Sequence, residues 1–287
     1  MSSQVLLYTG RGAGPFCTYA LHNQLANLLD KRFHQVTEIN TFANCPQDPS
    51  SISAIFIPGG NAAGMLTNIT EDAKSSLQNL FNKHHCSYYG ACAGGIFAAK
   101  GCLETVSTNG ANIRCIKIIP YPLLEIFPGT VIAPLFPKPQ QGKLLINDFH
   151  LLNIQLADGS HQTLSSAHIL SPGYLDVSTL KGAEILSTYE TPFSIKFAAE
   201  KGKAPLDIAP ERFCESVFYE RDASRMVLTG SHPEVDSQAV LSEKFKEAFS
   251  ATNQEQGQIA EKMKIYDVSR KALLEQNFKR IGLHCQG

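Results

Sequence analysis

Short apolar runs alternate with amphipathic stretches along the first hundred residues. Val5-Leu6-Leu7-Tyr8, Val36-Thr37-Glu38-Ile39, Ala54-Ile55-Phe56-Ile57 and Ser87-Tyr88-Tyr89 read as strands. Between them, Leu21, Leu25, Leu28 and Leu29 recur at helical spacing behind Pro15, and Ala73, Leu77, Leu80 and Phe81 do so behind Thr70. Strand and helix in alternation predict right-handed crossovers, hence an α/β fold with a parallel sheet and helices on both faces. From about Cys102 to Tyr189 the helical period fades. Pro120, Pro122, Pro128, Pro134, Pro137 and Pro139 interrupt the backbone there, and Gln140-Gln141-Gly142 reads as an exposed turn. Leu151 to Leu156, a turn at Asp158-Gly159 and then Gln162-Thr163-Leu164 predict a β-hairpin. This half is expected to extend the main sheet with antiparallel strands. Arg221-Asp222-Ala223-Ser224 joins two further strands, and a polar helical tail begins at Ser237, with Gln254-Glu255-Gln256-Gly257-Gln258 expected as a flexible joint. The expected organisation is a single domain over 1–287: a parallel α/β half over 1–105, a β-rich half over 106–235, and a helical tail over 236–287 packed on the core.

Ligands of such sheets bind at the carboxyl ends of the strands. Gly10, Gly59, Gly60 and Cys92 all stand at predicted strand ends. Gly90-Ala91-Cys92-Ala93-Gly94-Gly95 is the most specific of these. Small residues around one cysteine are what a sharp strand-to-helix turn demands, because bulkier neighbours would not fit the strained backbone. The turn would also set the sulfur at a helix N-terminus, where the partial positive charge favours thiolate. On its own the motif admits two readings, an activated nucleophile or a buried, inert thiol in a glycine-rich turn.

Downstream, Met226 to Ser231 reads as a buried strand that delivers His232-Pro233-Glu234. A cysteine hydrolase needs an imidazole to carry the thiol proton and a third group to fix its tautomer. Two residues apart on an extended segment stiffened by proline, His232 and Glu234 can project into one site. The pairing favours a Cys92-His232-Glu234 triad over a surface turn. The expected reaction is acyl transfer from an amide or ester carbonyl to sulfur. His232 would protonate the leaving group and then activate water, and the backbone N–H groups of Ala93 and of Gly59 or Gly60 would hold the oxyanion.

Composition narrows the setting. The 287 residues are 43% hydrophobic and 18% charged, as in a globular domain. A net charge of -1 gives no drive toward nucleic acid or an anionic membrane. No membrane span or basic-then-apolar leader is evident, so the 8 cysteines are read as reduced thiols of a cytoplasmic protein. No Cys-x-x-Cys pair occurs, and neither a metal nor an organic cofactor is expected. Gly10-Arg11-Gly12-Ala13-Gly14 lacks the residues of a dinucleotide or nucleotide loop and reads as backbone lining the pocket, with Arg11 available for a substrate carboxylate. His84-His85-Cys86 reads as a helix end, His150, His161 and His168 as surface or partly buried histidines, and Cys17 as packing near the rim.

At the cysteine and histidine motifs the chain resembles the triad-type glutamine amidotransferases, and nearly end to end it is similar to the N-terminal amidotransferase-like domain of eukaryotic-type biotin-protein ligases. Leu6-Leu7-Tyr8-Thr9-Gly10, Phe56-Ile57-Pro58-Gly59-Gly60, Phe127-Pro128-Gly129-Thr130, Leu156-Ala157-Asp158-Gly159-Ser160 and Phe278 to Leu283 carry the wider similarity. The resemblance implies a flavodoxin-like parallel sheet, Cys92 as nucleophile and His232 with Glu234 as its base pair. Two departures stand out. Ile96 occupies the place of the glutamine that usually follows the nucleophile in glutaminases, and Ser171-Pro172-Gly173 replaces a paired-glycine segment. Two functions therefore stay open. One is a cysteine-dependent amidohydrolase or amidotransferase-like protein acting on a small-molecule or peptide amide. The other is a catalytically silent binding or regulatory module, with a protein partner, related to the accessory domain of biotin-protein ligase. The ligase portion of such relatives has no counterpart after the triad, so the chain alone is not expected to biotinylate.

Overall fold

The computed structural model describes residues 2–45, 48–108, 112–119, 123–135, 144–158, 162–190, 195–197, 207–208 and 212–286. The four early apolar runs form parallel strands β1 (Ser3–Tyr8), β2 (His34–Ile39), β3 (Ile52–Ile57) and β4 (Ser87–Ala91), in the order β2-β1-β3-β4. Alternate side chains of a strand leave by opposite faces, and both faces are covered. Leu6, Tyr8, Ile55, Ile57 and Tyr88 pack with Met65 of α2 (Ala62–Leu66) and with Leu77, Leu80 and Phe81 of α3 (Glu71–Lys83). On the other face, Val5, Leu7, Ala54, Phe56 and Tyr89 meet Leu21, Leu25 and Leu28 of α1 (Pro15–Leu28) and Leu274 and Phe278 of α8 (Asp267–Arg280). The doubly covered sheet is the one the periodicity predicts.

The sheet continues past β4 with β16 (Ser224–Thr229), which runs parallel to it. Next come β15 (Ser216–Arg221), β11 (Ala183–Tyr189), β8 (His150–Leu156) and β9 (Thr163–His168), each antiparallel to its neighbour. The expected antiparallel extension and the β8–β9 hairpin are both present, although Gly159 and His161 lie outside the described residues. Pro120, Pro122, Pro137, Pro139 and Gln140-Gln141-Gly142 also lie outside them.

Three features depart from the sequence expectation. First, much of the β-rich half forms a second sheet, of order β13-β12-β6-β5-β7-β10-β14. Its strands are β5 (Ala99–Thr108), β6 (Asn112–Ile119), β7 (Phe127–Ala133), β10 (Gly173–Leu175), β12 (Ile195–Phe197), β13 (Asp207–Ile208) and β14 (Phe213–Cys214). Second, the helix after the cysteine, α4 (Ala93–Ala98), stops after six residues, because the chain from Ala99 onward pairs with β7. Third, no joint breaks the tail. After α5 (Ser237–Val240) and α6 (Glu243–Phe249), the segment 254–258 lies inside α7 (Asn253–Lys264). The Thr252 hydroxyl accepts from Glu255 N–H, and the Glu255 carboxylate accepts from Thr252 N–H at 2.7 Å, so the helix start is closed from both sides. The Arg270 guanidinium is buried, with partners at both terminal nitrogens and none at Nε. It pairs with Asp267 and donates to the carbonyls of Met263 (2.8 Å) and Ser165 (3.2 Å), which ties α8 to β9. No helix among the described residues is long and apolar enough to cross a membrane.

Candidate active site

The chain leaves β4 at Ala91 and reverses at Cys92 with φ 49° and ψ -106°, just before α4. A side-chain-bearing residue holds such a backbone only when its surroundings enforce it. Here Cys92 N–H donates to Thr229 O at 2.7 Å, while Cys92 O accepts from Gly95 and Ile96 N–H at 3.0 and 3.1 Å. Small neighbours are obligatory, since a Cβ at Gly94 would lie 2.2 Å from Ile57 O. The turn predicted from Gly90 to Gly95 is thus built, and it is anchored on β16.

β16 also delivers the histidine. His232 N–H donates to Ala167 O at 2.8 Å, and Val235 N–H returns to His232 O at 3.0 Å, closing a turn over Pro233-Glu234. The sequence predicts an extended segment here, in which residues two apart stand about 7 Å from each other. The turn, with proline in its favoured second position, instead brings Glu234 Oε1 to 2.8 Å from His232 Nδ1. Both side chains are fully buried. With Glu234 holding the Nδ1 proton, Nε2 is left as the working nitrogen. It faces two thiols, those of Cys17 and Cys92.

Burial is the largest influence on the His232 imidazole and pushes its pKa down. Cys17, Glu234 and Cys92 together outweigh it, so the net direction is upward. No hydrogen bond of full geometry reaches Nε2. The Cys92 thiol, 4% exposed, donates to Ile169 O at 3.3 Å. Its hydrogen is a rotor, so re-aiming it from that carbonyl to the imidazole is a torsion about Cβ–Sγ. Burial raises the thiol pKa of Cys17, although the facing imidazole offsets part of the rise. Burial also lifts Cys86 and Cys214, and it pushes Cys45 up to about 11.

The two glycine loops join over this centre. A Cβ at Gly59 would lie 2.2 Å from His232 Cε1 and 3.2 Å from Cys17 Sγ, so bare Cα packing is what admits the ring. Gly59 O accepts from Gly14 N–H at 2.8 Å and Gly12 O from Asn61 N–H at 2.7 Å; Gly60, at φ 151°, sits against this segment. Ala93 is the first residue of α4, so its N–H has no acceptor within the helix. Gly10 is pressed against Asn40 O at the end of β1, and the Arg11 side chain is exposed.

Cys17, a packing residue by its sequence position, meets His232 because the glycine-rich loop starts α1 directly over Gly59. Ser171-Pro172-Gly173 stands out in the sequence, but the Ile169 carbonyl just ahead of it carries no signal there, since a backbone acceptor has no residue type. Among the described residues, no group of three or more His, Cys, Asp or Glu side chains is arranged to hold a metal. A cavity of about 570 Å³ between α8 and the β8–β9 hairpin, lined by Leu164, Ile265, Val268 and Leu273 among others, shares no residue with the thiol centre.

The family described as "Biotin-protein ligase, N terminal" matches residues 3–287. A glutamine amidotransferase from Thermotoga maritima superposes with a TM-score of 0.55 at 11% identity, covering 98% of each chain. One from Methylobacillus flagellatus gives 0.51 at 14% identity, over 100% of this chain and 96% of its own. Another crystal structure of a glutamine amidotransferase gives 0.50 at 14% identity, over 86% of this chain and 99% of its own. These similarities concern the fold. No curated protein matches the sequence significantly.

Proposed function

The chain belongs to the biotin-protein ligase N-terminal family and has the glutamine amidotransferase fold, and on that premise we propose that Cys92, His232 and Glu234 act as a triad on an amide or ester carbonyl. The observation that supports this reading is the buried His232 Nδ1–Glu234 Oε1 contact of 2.8 Å, which leaves Nε2 on the side of the Cys17 and Cys92 thiols. In the proposed cycle Nε2 takes the thiol proton as sulfur bonds to the carbonyl carbon. The imidazolium, held by Glu234, then returns that proton to the departing nitrogen or oxygen. Water adds to the thioester with the same imidazole as base and frees the thiol. The backbone N–H groups of Ala93 and of Gly59 or Gly60 are assigned to the oxyanion. The substrate class is a small-molecule or peptide amide, and the setting is the cytoplasm, with neither nucleic acid nor membrane as partner.

A second reading, a catalytically silent binding or regulatory module, draws on two observations. Ile96 stands where glutaminases usually carry glutamine, and the Cys92 thiol is nearly closed off and already engaged by Ile169 O. An activated ester separates the two. The triad reading expects a burst of about one equivalent of released alcohol and a mass increment on Cys92, both absent in Cys92→Ser. No burst and no adduct across a series of esters and amides would favour the module.

A further inference from the structure

Between β14 of the second sheet and β15 of the main sheet stands Glu215, whose side chain is 1% exposed. It reaches no cation among the described ion pairs, and one of its oxygens and its backbone carbonyl are given to a single turn. Its Oε1 accepts from Thr229 Oγ1 at 2.8 Å and from Ser231 N–H at 2.5 Å. Its own backbone carbonyl accepts from Gly230 N–H at 2.8 Å. Oε2 accepts from the Ser187 hydroxyl, which also lies 2.5 Å from Ser216 Oγ. One residue therefore grips three consecutive residues at the end of β16.

That turn supports both parts of the candidate site. Thr229 O receives the Cys92 N–H at 2.7 Å and so helps hold the strained reversal. Ser231 is bonded directly to His232. A buried carboxyl with no water to satisfy it is costly unless donors are supplied. This one is surrounded by donors from the segment that carries the base and anchors the nucleophile. If it were removed, the Ser231 amide would lose its acceptor, and the Thr229 and Ser187 hydroxyls would fall back on Ser231 O at 3.2 Å and Ser216 Oγ at 2.5 Å.

We propose that Glu215 is a positioning residue of this site, whose carboxylate clamps Thr229-Gly230-Ser231 and thereby fixes the His232 imidazole relative to Cys92. The proposal deepens the triad reading and rests on it for any consequence in reactivity. Its geometric content, that Glu215 sets where the ring sits, stands apart. Because the clamp works through acceptor geometry, a carboxamide can replace it. The carbonyl oxygen of Glu215→Gln keeps the Thr229 and Ser231 donors, and its amino group can donate to Ser187, whose hydroxyl turns to accept.

The test compares wild type, Glu215→Ala, Glu215→Gln and Thr229→Val. Folding is checked by urea denaturation, the His232 ring by its proton NMR titration, and Cys92 by alkylation rate against pH. In folded Glu215→Ala, alkylation should fall on the order of tenfold or more and the His232 resonance should move, because a displacement near 1 Å has effects of that size or larger. Glu215→Gln should match wild type within about twofold, and Thr229→Val should fall between. If Glu215→Ala does not fold, Thr229→Val carries the decision. A purely structural role predicts lower urea midpoints with an unchanged His232 titration and an unchanged Cys92 profile in the folded molecules, and that result overturns the proposal. A Glu215→Gln variant as impaired as Glu215→Ala would also overturn it. If wild-type Cys92 reacts no faster than the other buried thiols, the triad reading falls. The His232 resonance in Glu215→Ala or Thr229→Val still decides whether Glu215 positions the ring.

Discussion

Replacing Gly59 with alanine adds one methyl group at the tightest contact of the site. The new Cβ would lie 2.2 Å from His232 Cε1, about 1.2 Å short of the 3.4 Å at which such contacts become ordinary. The loop cannot easily yield, since Gly59 O and Gly12 O are both engaged at 2.8 and 2.7 Å across the paired glycine segments. The ring is therefore the part that moves. A shift of that size takes Nδ1 from 2.8 Å to about 4 Å from Glu234 Oε1 if it runs along the bond. Misplacement by about 1 Å can cost about 100-fold in a positioned reaction, or some 2.7 kcal/mol. The overpacking itself should cost about 1–3 kcal/mol of stability. Peptide-mapped iodoacetamide labelling at pH 7, with a urea melt in parallel, reads both effects. A Gly59→Ala protein whose Cys92 labels within about twofold of wild type, at unchanged stability, would refute the packing argument.

Other perturbations reach different parts of the account. Cys17→Ala removes one of the groups that raise the His232 pKa, so the imidazole should titrate lower by NMR; an unchanged or higher value would place Cys17 outside the site. Because His232 titrates above its unfolded value of about 6.5, the stability it supplies is fully present below that pH and is lost as pH rises through the folded value. The difference in unfolding free energy between wild type and Glu234→Gln should accordingly shrink as pH rises above about 6.5, and a difference that grows with pH would contradict the sign. Arg270→Met strips the donors from Asp267 and from the Ser165 and Met263 carbonyls, and should cost about 3 kcal/mol in a urea melt without altering Cys92 labelling.

What could be read from the sequence tracks how local the cause is. β1, β3 and β4 are apolar on both faces, so the runs at Val5, Ala54 and Ser87 announce them without tertiary information. The elbow was legible because strain at Cys92 excludes large neighbours, which leaves a composition signature from Gly90 to Gly95. His232-Pro233-Glu234 was legible by residue type, although its turn geometry was not. The second sheet was not legible because a run as long as β5, β6 or β7 does not say which sheet it joins, and β10, β12, β13 and β14 are only two or three residues each. In α7, Gly257 and the run of glutamines hid a helix that the Thr252–Glu255 pair in fact starts. Glu215 and Cys17 act through partners far along the chain: Glu215 meets Thr229 and Ser231 only because the β15–β16 hairpin folds back, and Cys17 meets His232 across the glycine loops.

The central claim is that His232, oriented by Glu234, governs the reactivity of Cys92. Its most direct test is the alkylation rate of Cys92 against pH in wild type, Glu234→Gln and His232→Ala, with Cys45, Cys86 and Cys214 as internal references that burial holds high. The account predicts that wild-type Cys92 labels ahead of all three below pH 8.5, the value of an ordinary free thiol, that Glu234→Gln loses part of this advantage, and that His232→Ala loses most of it. Superimposable profiles for the three proteins would contradict it.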